Sequence, residues 1–99
     1  MTIYKTTTQI RQSLLYKIDQ LSNSNEQLNV MVQIEQHDDL YDTVVMLLSN
    51  GALIVDETYT ADRNEMDAKV DAQFLLNSVW KWTVDENVIV NQKIEEICF

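Results

Sequence analysis

Apolar residues near the start of the chain recur at the spacing of an α-helix. They occur at i, i+4, i+8 and i+11, on one stripe of a helix: Ile10, Leu14, Ile18 and Leu21. Thr6 followed three residues later by Gln9 matches a capping box, so we expect this helix to begin near the TTT run at 6–8. Residues 22–29 (SNSNEQLN) are rich in side chains that compete for backbone hydrogen bonds, which predicts that the helix ends there in a loop.

The hydrophobic period changes to two after this loop. Residues 30–35 alternate between β-branched and other side chains, as in a strand with one buried face. A polar break at 37–39 precedes the segment 41–48 (YDTVVMLL), whose apolar residues occupy both faces and indicate a central strand. Asn50-Gly51 then favours a type I′ turn, because that turn needs positive φ at both central residues, and it holds the only glycine of the chain.

A two-residue turn at 50–51 also predicts the register of the hairpin that it closes. Continuous pairing from this turn brings Asp42 opposite Tyr59 and places Asp56 and Glu57 at the same end of the sheet as Asp42. One face of the hairpin carries more apolar bulk near the turn, and we expect it to face the core: Leu48 with Leu53, Met46 with Val55, and Val44 with Glu57.

A second helix is predicted after the third strand. Asp62 followed by Glu65 matches a capping box, and helical spacing continues to about Trp82. The apolar stripe of this helix comprises Ala68, Ala72, Leu75, Leu76 and Val79, widened by Met66, Val70 and Phe74. Trp80 and Trp82 are two residues apart and point to different sides of a helix, so we expect one to close the core and the other to be a candidate partner contact, unless both lie under the C-terminal segment.

The C-terminal segment fits two structures. Val84, Val88 and Val90 favour a strand by β-branching, whereas Val90, Ile94 and Ile97 fit a short helix opened by Asp85; we favour the helix. The predicted fold is therefore α+β in two layers, a three-stranded antiparallel meander flanked by helices, with a short helix or strand at the C-terminus. Its length predicts a single domain over residues 1–99.

Composition excludes several classes of protein. The chain has no proline, one cysteine and sixteen acids against seven bases, a net charge of −9 that argues against direct binding to nucleic acid or an anionic membrane. There is no glycine-rich phosphate loop and no Cys/His pair at metal-ligand spacing, so we expect no catalytic residue, no metal, no cofactor and no enzymatic activity. Without an apolar signal segment or a cysteine pair, the expected location is the cytoplasm.

The negative charge is concentrated in one part of the sequence. Residues 1–20 carry a net charge of +2, whereas the segment from Glu35 to Asp71 holds ten acids and two bases. Two interpretations follow: a solvated acidic face that keeps the protein soluble, or a surface that binds a basic protein as a nucleic-acid mimic. The candidate partner-binding residues are Glu35, Asp38, Asp39, Tyr41, Asp42, Asp56, Glu57, Tyr59, Asp67 and Asp71.

The layout resembles small acidic inhibitor proteins encoded by phages, including anti-CRISPR proteins. The likeness rests on the opening helix TQIRQSLLYKIDQL, the hairpin VVMLLSNGALIVDE and the acids from Glu35 to Asp71. The resemblance implies a non-enzymatic inhibitor that acts in the host cytoplasm on a basic nucleic-acid-binding protein or nuclease. Two alternatives remain open: an immunity or antitoxin protein that neutralises a cognate nuclease, and a small structural or assembly subunit whose exposed tryptophan forms a homodimer interface.

Overall fold

The computed structural model of the protein describes residues 3–21, 28–85 and 94–98. Two helices and four strands follow one another in the order α1 Thr7–Leu21, β1 Leu28–His37, β2 Leu40–Ser49, β3 Ala52–Asp62, α2 Glu65–Asp85 and β4 Ile94–Cys98. The strands form one sheet in the order β3-β2-β1-β4, in which β1, β2 and β3 are an antiparallel meander and β4 runs parallel to β1. The predicted α+β class with a three-stranded meander is confirmed.

The start of α1 is fixed by the predicted capping box. The Thr6 backbone N–H donates to Gln9 Oε1 at 2.9 Å, and the Gln9 backbone N–H donates to Thr6 Oγ1 at 3.2 Å. Two backbone donors that a helix start leaves without partners are thereby satisfied. The helix then buries Ile10, Leu14 and Ile18, three of the four residues of the predicted stripe.

A single core lies between the two helices and one face of the sheet. The strand β1 alternates as predicted and buries every second side chain from Leu28 to Ile34. The fully or nearly buried apolar residues form one cluster: Ile10, Leu14, Ile18, Leu28, Val30, Val32, Ile34, Val45, Leu47, Ala68, Ala72, Leu75 and Val79. Both helices therefore share one layer, and the other layer is the sheet.

The predicted register of the β2–β3 hairpin is right only next to the turn. Asn50 and Gly51 have φ of 50° and 83°, and Ser49 lies opposite Ala52 as expected. The pairing then shifts at two points, where Ile54 and Tyr59 are the extra residues of β3. At each shift β3 places two residues opposite one, which is the arrangement of a β-bulge.

The predicted core face of this hairpin is wrong for β2 near the turn, although Val44 of the predicted face is buried and Val55 packs against the core. Val45 and Leu47 are fully buried, whereas Met46 and Leu48 lie half-buried on the outer face and Leu53 is exposed. The reason is the neighbouring strand: β2 residues that face the core lie directly opposite the buried β1 residues, as in the pairs Val30–Leu47 and Val32–Val45. Residues opposite each other in an antiparallel pair share a face, so β1 decides which face of β2 is buried.

The helix α2 begins later than the predicted capping box. Asp62 is the last residue of β3 and does not cap the helix. The cap is Asn64, whose Oδ1 accepts the Asp67 backbone N–H at 2.8 Å and whose Nδ2 donates to Asp67 Oδ2 at 2.9 Å. Asp62 and Glu65 have the same spacing as Asn64 and Asp67. Because Asp62 pairs with Tyr41 in the sheet, Asn64 is the residue that caps the helix.

The apolar surface of α2 is divided between two sides. Ala68, Ala72, Leu75 and Val79 are buried as predicted. The residues expected to widen this stripe are instead exposed, with Met66 76%, Val70 63% and Phe74 52% accessible. Trp80 is 47% exposed and Trp82 packs against the core, which confirms that the two indoles lie on different sides of the helix.

The C-terminal segment contains a strand rather than the favoured helix. Ile94 and Ile97 belong to β4, which pairs with β1 through Val30–Ile94 and Met31–Glu95. The edge of β1 offers unpaired backbone groups, and a parallel strand satisfies them, which a short helix would not. Val84 lies in α2, whereas Val88 and Val90 lie outside the described residues.

Candidate acidic interface

The turn between β1 and β2 presents two exposed carboxylates at the end of the sheet. Asp38 and Asp39 are its two residues, and Asp38 has a φ of 55°, a conformation that aspartate tolerates better than most residues. His37 Nδ1 lies 3.7 Å from Asp38 Oδ2, and both side chains are largely exposed. Both acids are therefore exposed at the tip of the β1–β2 hairpin.

The next pair along the two strands combines an exposed and a buried acid. Glu35 lies opposite Asp42, but Glu35 is exposed whereas only 7% of Asp42 is accessible. The Tyr4 hydroxyl donates to Asp42 Oδ1 at 3.2 Å. Partial desolvation of the phenol, together with the charge of Asp42 and this hydrogen bond, raises the pKa of Tyr4.

The segment before α1 holds Tyr4 in this position. Tyr4 forms a parallel bridge to Thr58 of β3, and the Lys5 backbone N–H donates to the Thr58 carbonyl at 2.7 Å. Asp42 thus accepts a hydrogen bond from the N-terminal segment. Its buried carboxylate offers little surface to a partner protein.

A second group of acids forms where the end of β3 meets α2. Desolvation raises the pKa of Asp62 to about 6, and a hydrogen bond to Asp71 and the charges of Asp71 and Asp67 contribute further. Asp62 Oδ2 is buried and has no hydrogen-bond partner among the described residues. Two carboxyl groups can share a hydrogen bond only if one holds a proton, which is why the proton binds more tightly here.

The two candidate tyrosines, Tyr41 and Tyr59, are partly buried. Tyr59, the extra residue of the second bulge, stacks on Phe74 with ring centroids 6.4 Å apart and 23° between the planes. Partial burial, with the charges of Asp71 and Asp62, raises the pKa of Tyr59. Tyr59 and Tyr41 are both half-buried and pack against the core.

Asp56 and Glu57 lie apart from the other acids. Asp56 lies opposite Met46 and Glu57 opposite Val45, in the middle of β2, because the bulge at Ile54 moves each of them one residue further from Asp42 than the predicted register placed it. Asp42 lies four residues from Met46, a separation of about 13 Å along the strand. These two acids therefore do not join the group.

The remaining carboxylates meet at one end of the sheet. Asp62 lies opposite Tyr41, next to the β1–β2 turn. Asp39 and Leu40 of this turn region line one surface pocket together with Arg63, which follows Asp62. We call this surface the acidic end; it consists of Asp38, Asp39, Asp62, Asp67 and Asp71. Glu35 lies on the opposite face of the sheet, because side chains alternate along β1 and Ile34 is buried in the core. Asp62 was not among the predicted site residues because its spacing to Glu65 is that of a helix cap, and no sequence signal marks the bulge that sets its position.

The charges around the acidic end are only partly compensated by the described residues. Arg63 is the cation that borders it, and Lys69 pairs with Glu65 at 3.9 Å, with both side chains about half exposed. Within residues 3–21, 28–85 and 94–98, no group of three or more His, Cys, Asp or Glu side chains could hold a metal ion. Among the described residues, carboxylates outnumber the cations at this surface, which makes the local potential negative.

Comparison with protein-family models, with curated proteins and with solved structures found no match to this chain. Neither helix in the described part of the chain is both long and apolar enough to cross a membrane.

Proposed function

We propose that this protein is a non-enzymatic inhibitor of the phage counter-defence type, in which the acidic end binds a basic nucleic-acid-binding protein or nuclease. The observation that carries the proposal is the convergence of carboxylates from three places in the fold. They come from the β1–β2 turn (Asp38 and Asp39), the end of β3 (Asp62) and the first turns of α2 (Asp67 and Asp71). Such a partner is expected in the cytoplasm.

The electrostatics of Asp62 support a cationic partner in particular. Burial and the neighbouring carboxylates disfavour its ionised form, which raises the pKa of Asp62 to about 6. A lysine or arginine of the partner, brought next to Asp62 and Asp71, would reverse this effect and release the proton. Binding by this surface is therefore expected to strengthen as the pH rises through about 6.

The acids of the turn are suited to the first encounter with such a partner. Asp38 and Asp39 are exposed at the tip of the β1–β2 hairpin, where a basic groove reaches them without rearrangement of the core. Clustered charge of one sign raises the association rate with an oppositely charged surface, and added salt reduces this effect. A groove that binds a phosphate backbone carries the required cations.

Neutralisation of the turn tests the proposal. The variant Asp38→Asn with Asp39→Asn keeps a residue that tolerates positive φ at position 38 and removes two charges. The control, Asp56→Asn with Glu57→Gln, removes two charges in the middle of β3. Inhibition is measured on a panel of purified RNA-guided and non-specific nucleases with a labelled duplex as substrate.

The wild type and the control are expected to inhibit at least one nuclease in competition with nucleic acid. The turn variant should inhibit more weakly, and inhibition should weaken as salt increases. Equal inhibition by the turn variant, or inhibition that is insensitive to salt, would contradict the proposal. An inhibitor that acts on a single cognate nuclease encoded beside it would identify the immunity or antitoxin alternative.

A structural or assembly subunit is the second candidate function. It is favoured by the exposed apolar side chains of α2, which include Trp80 at 47% exposure. Under this alternative the net charge only keeps the protein soluble. Sedimentation equilibrium separates the two, because an assembly subunit self-associates and an inhibitor with this charge is expected to remain monomeric.

A further inference from the structure

Three apolar side chains form an exposed stripe along the outer side of α2. Met66, Val70 and Phe74 follow each other at intervals of four residues and are 76%, 63% and 52% accessible. At 1.5 Å per residue the stripe is about 12 Å long, or two helical turns. It lies opposite the buried side of the helix, so it contributes nothing to the core.

The stripe is held rigid at one end by the sheet. The Phe74 ring stacks on the Tyr59 ring of β3, which fixes the side chain against the body of the protein. The helix beneath it is anchored by the buried residues Ala68, Ala72 and Leu75. Phe74 therefore loses little conformational entropy when a partner covers it, which favours affinity.

One border of the stripe is acidic. Asp67 and Val70, like Asp71 and Phe74, are three residues apart on the helix, so each acid lies about 5–6 Å from an apolar member of the stripe. Asp62 adds a third carboxylate beside Asp71. On the opposite border Glu65 pairs with Lys69 at 3.9 Å, which leaves that side nearly neutral.

We propose that this stripe docks an amphipathic basic helix of the partner protein. Apolar residues of that helix would cover Met66, Val70 and Phe74, and its lysine or arginine residues would lie against Asp67 and Asp71. The apolar stripe supplies the burial and the acidic border selects the charge, as in recognition by an amphipathic helix. The proposal rests on the proposed function, which it deepens by naming the binding element of the partner.

Charge disfavours a second copy of this chain as the occupant. Two copies packed antiparallel through the same stripe would bring Asp67 and Asp71 of one protomer near the same acids of the other. Each chain also has a net charge of −9, which opposes association. A basic helix instead gains from the same carboxylates.

The test uses the full-length protein and a synthetic peptide of known composition. The probe is a peptide of about fourteen leucine and lysine residues with all leucines on one helical face, about four turns long. One control peptide replaces lysine with glutamate, and a second replaces leucine with serine. Affinity is measured by calorimetry for the wild type, for Met66→Ala with Val70→Ala, and for Asp67→Asn with Asp71→Asn.

A matched control variant removes an exposed apolar side chain elsewhere. Tyr16→Ala changes a residue of α1 that is 64% accessible, close to the value for Val70. Circular dichroism and thermal unfolding identify variants that do not fold. If Asp67→Asn destabilises α2 by weakening the hydrogen bond from Asn64 Nδ2 to the Asp67 side chain, Asp71→Asn alone replaces the double variant.

The Leu/Lys peptide is expected to bind the wild type and Tyr16→Ala equally and Met66→Ala/Val70→Ala at least about tenfold more weakly. A tenfold loss needs only about 55 Å² less apolar burial. Loss of the aspartates or added salt should also weaken binding. Equal binding of the Leu/Glu peptide would overturn the basic helix as the occupant, and a dimer of the wild type that Met66→Ala/Val70→Ala dissociates would identify a second copy instead.

One result separates this proposal from the function on which it rests. If the Lys/Ser peptide binds as well as the Leu/Lys peptide, and Met66→Ala/Val70→Ala has no effect, the stripe is not the docking site. The acidic end would still bind cations, and the proposed function would stand. If instead neither peptide with lysine binds, both proposals fail.

Discussion

Asp62 is expected to destabilise the folded protein at neutral pH, so Asp62→Asn should stabilise it. The carboxylate is ionised at pH 7, although its Oδ2 is buried without a hydrogen-bond partner among the described residues and Asp71 lies beside it. Asparagine has nearly the same size and carries no charge. Its amide can also donate to the Asp71 carboxylate, which a carboxylate at position 62 cannot do.

The magnitude follows from the raised pKa. Between its ordinary value of 3.8 and about 6, Asp62 holds more of its proton in the folded than in the unfolded protein. Ionisation of Asp62 therefore lowers the free energy of unfolding as the pH rises from 3.8 to about 6, and the decrease is complete above that range. The full shift corresponds to about 3 kcal/mol, and solvent screening at this half-buried site reduces the expectation to about 1–2 kcal/mol.

Urea unfolding at a series of pH values measures this effect. We expect Asp62→Asn to be about 1–2 kcal/mol more stable than the wild type at pH 7 and to lose most of this advantage at pH 4. Asp56→Asn is the control, since it removes the same charge from the same strand about 20 Å away. The reasoning is refuted if Asp62→Asn is less stable than the wild type at pH 7, or if both variants gain equally.

Two further substitutions test buried polar groups. Thr43 is fully buried and its Oγ1 has no hydrogen-bond partner among the described residues. Thr43→Val should therefore raise the free energy of unfolding, measured by urea titration, by about 1 kcal/mol. A loss of stability would reveal a partner for the hydroxyl. Tyr4→Phe removes the donor to the buried Asp42 carboxylate and should lower the midpoint of thermal unfolding by about 5 °C, whereas Tyr16→Phe, on an exposed side chain of α1, should leave it unchanged.

The sequence predicted the features that depend on neighbouring residues. The Thr6–Gln9 capping box and the Asn50-Gly51 turn form as expected because each is a local arrangement of a few residues. The alternation of β1 was equally clear, since its polar and apolar residues have strict period two. These signals suffice for the order of the first five elements and for the class of fold.

The features that the sequence did not predict depend on distant residues. No local signal marks Ile54 or Tyr59 as extra residues, because the shifts arise from pairing and packing of the whole sheet. The buried face of β2 depends on its pairing with β1, and its apolar residues fit either face.

The positions of the candidate site residues divide in the same way. The Asp38–Asp39 turn is exposed as expected, because a polar break between two strands is a turn in either register. Burial of Asp42 depends on Tyr4, thirty-eight residues away in the sequence. The contact of Asp62 with Asp71 depends on the second bulge, so neither position could be obtained from spacing alone.

The parallel strand β4 has a consequence for the order in which the chain folds. It joins Val30 to Ile94, whereas the meander joins strands that are separated by turns of two residues. Closing the longer loop costs more chain entropy, and long-range contacts form late. We therefore expect the β1–β2–β3 meander to assemble before β4, so that the backbone amides of β1 that face β4 become protected from hydrogen exchange after those that face β2.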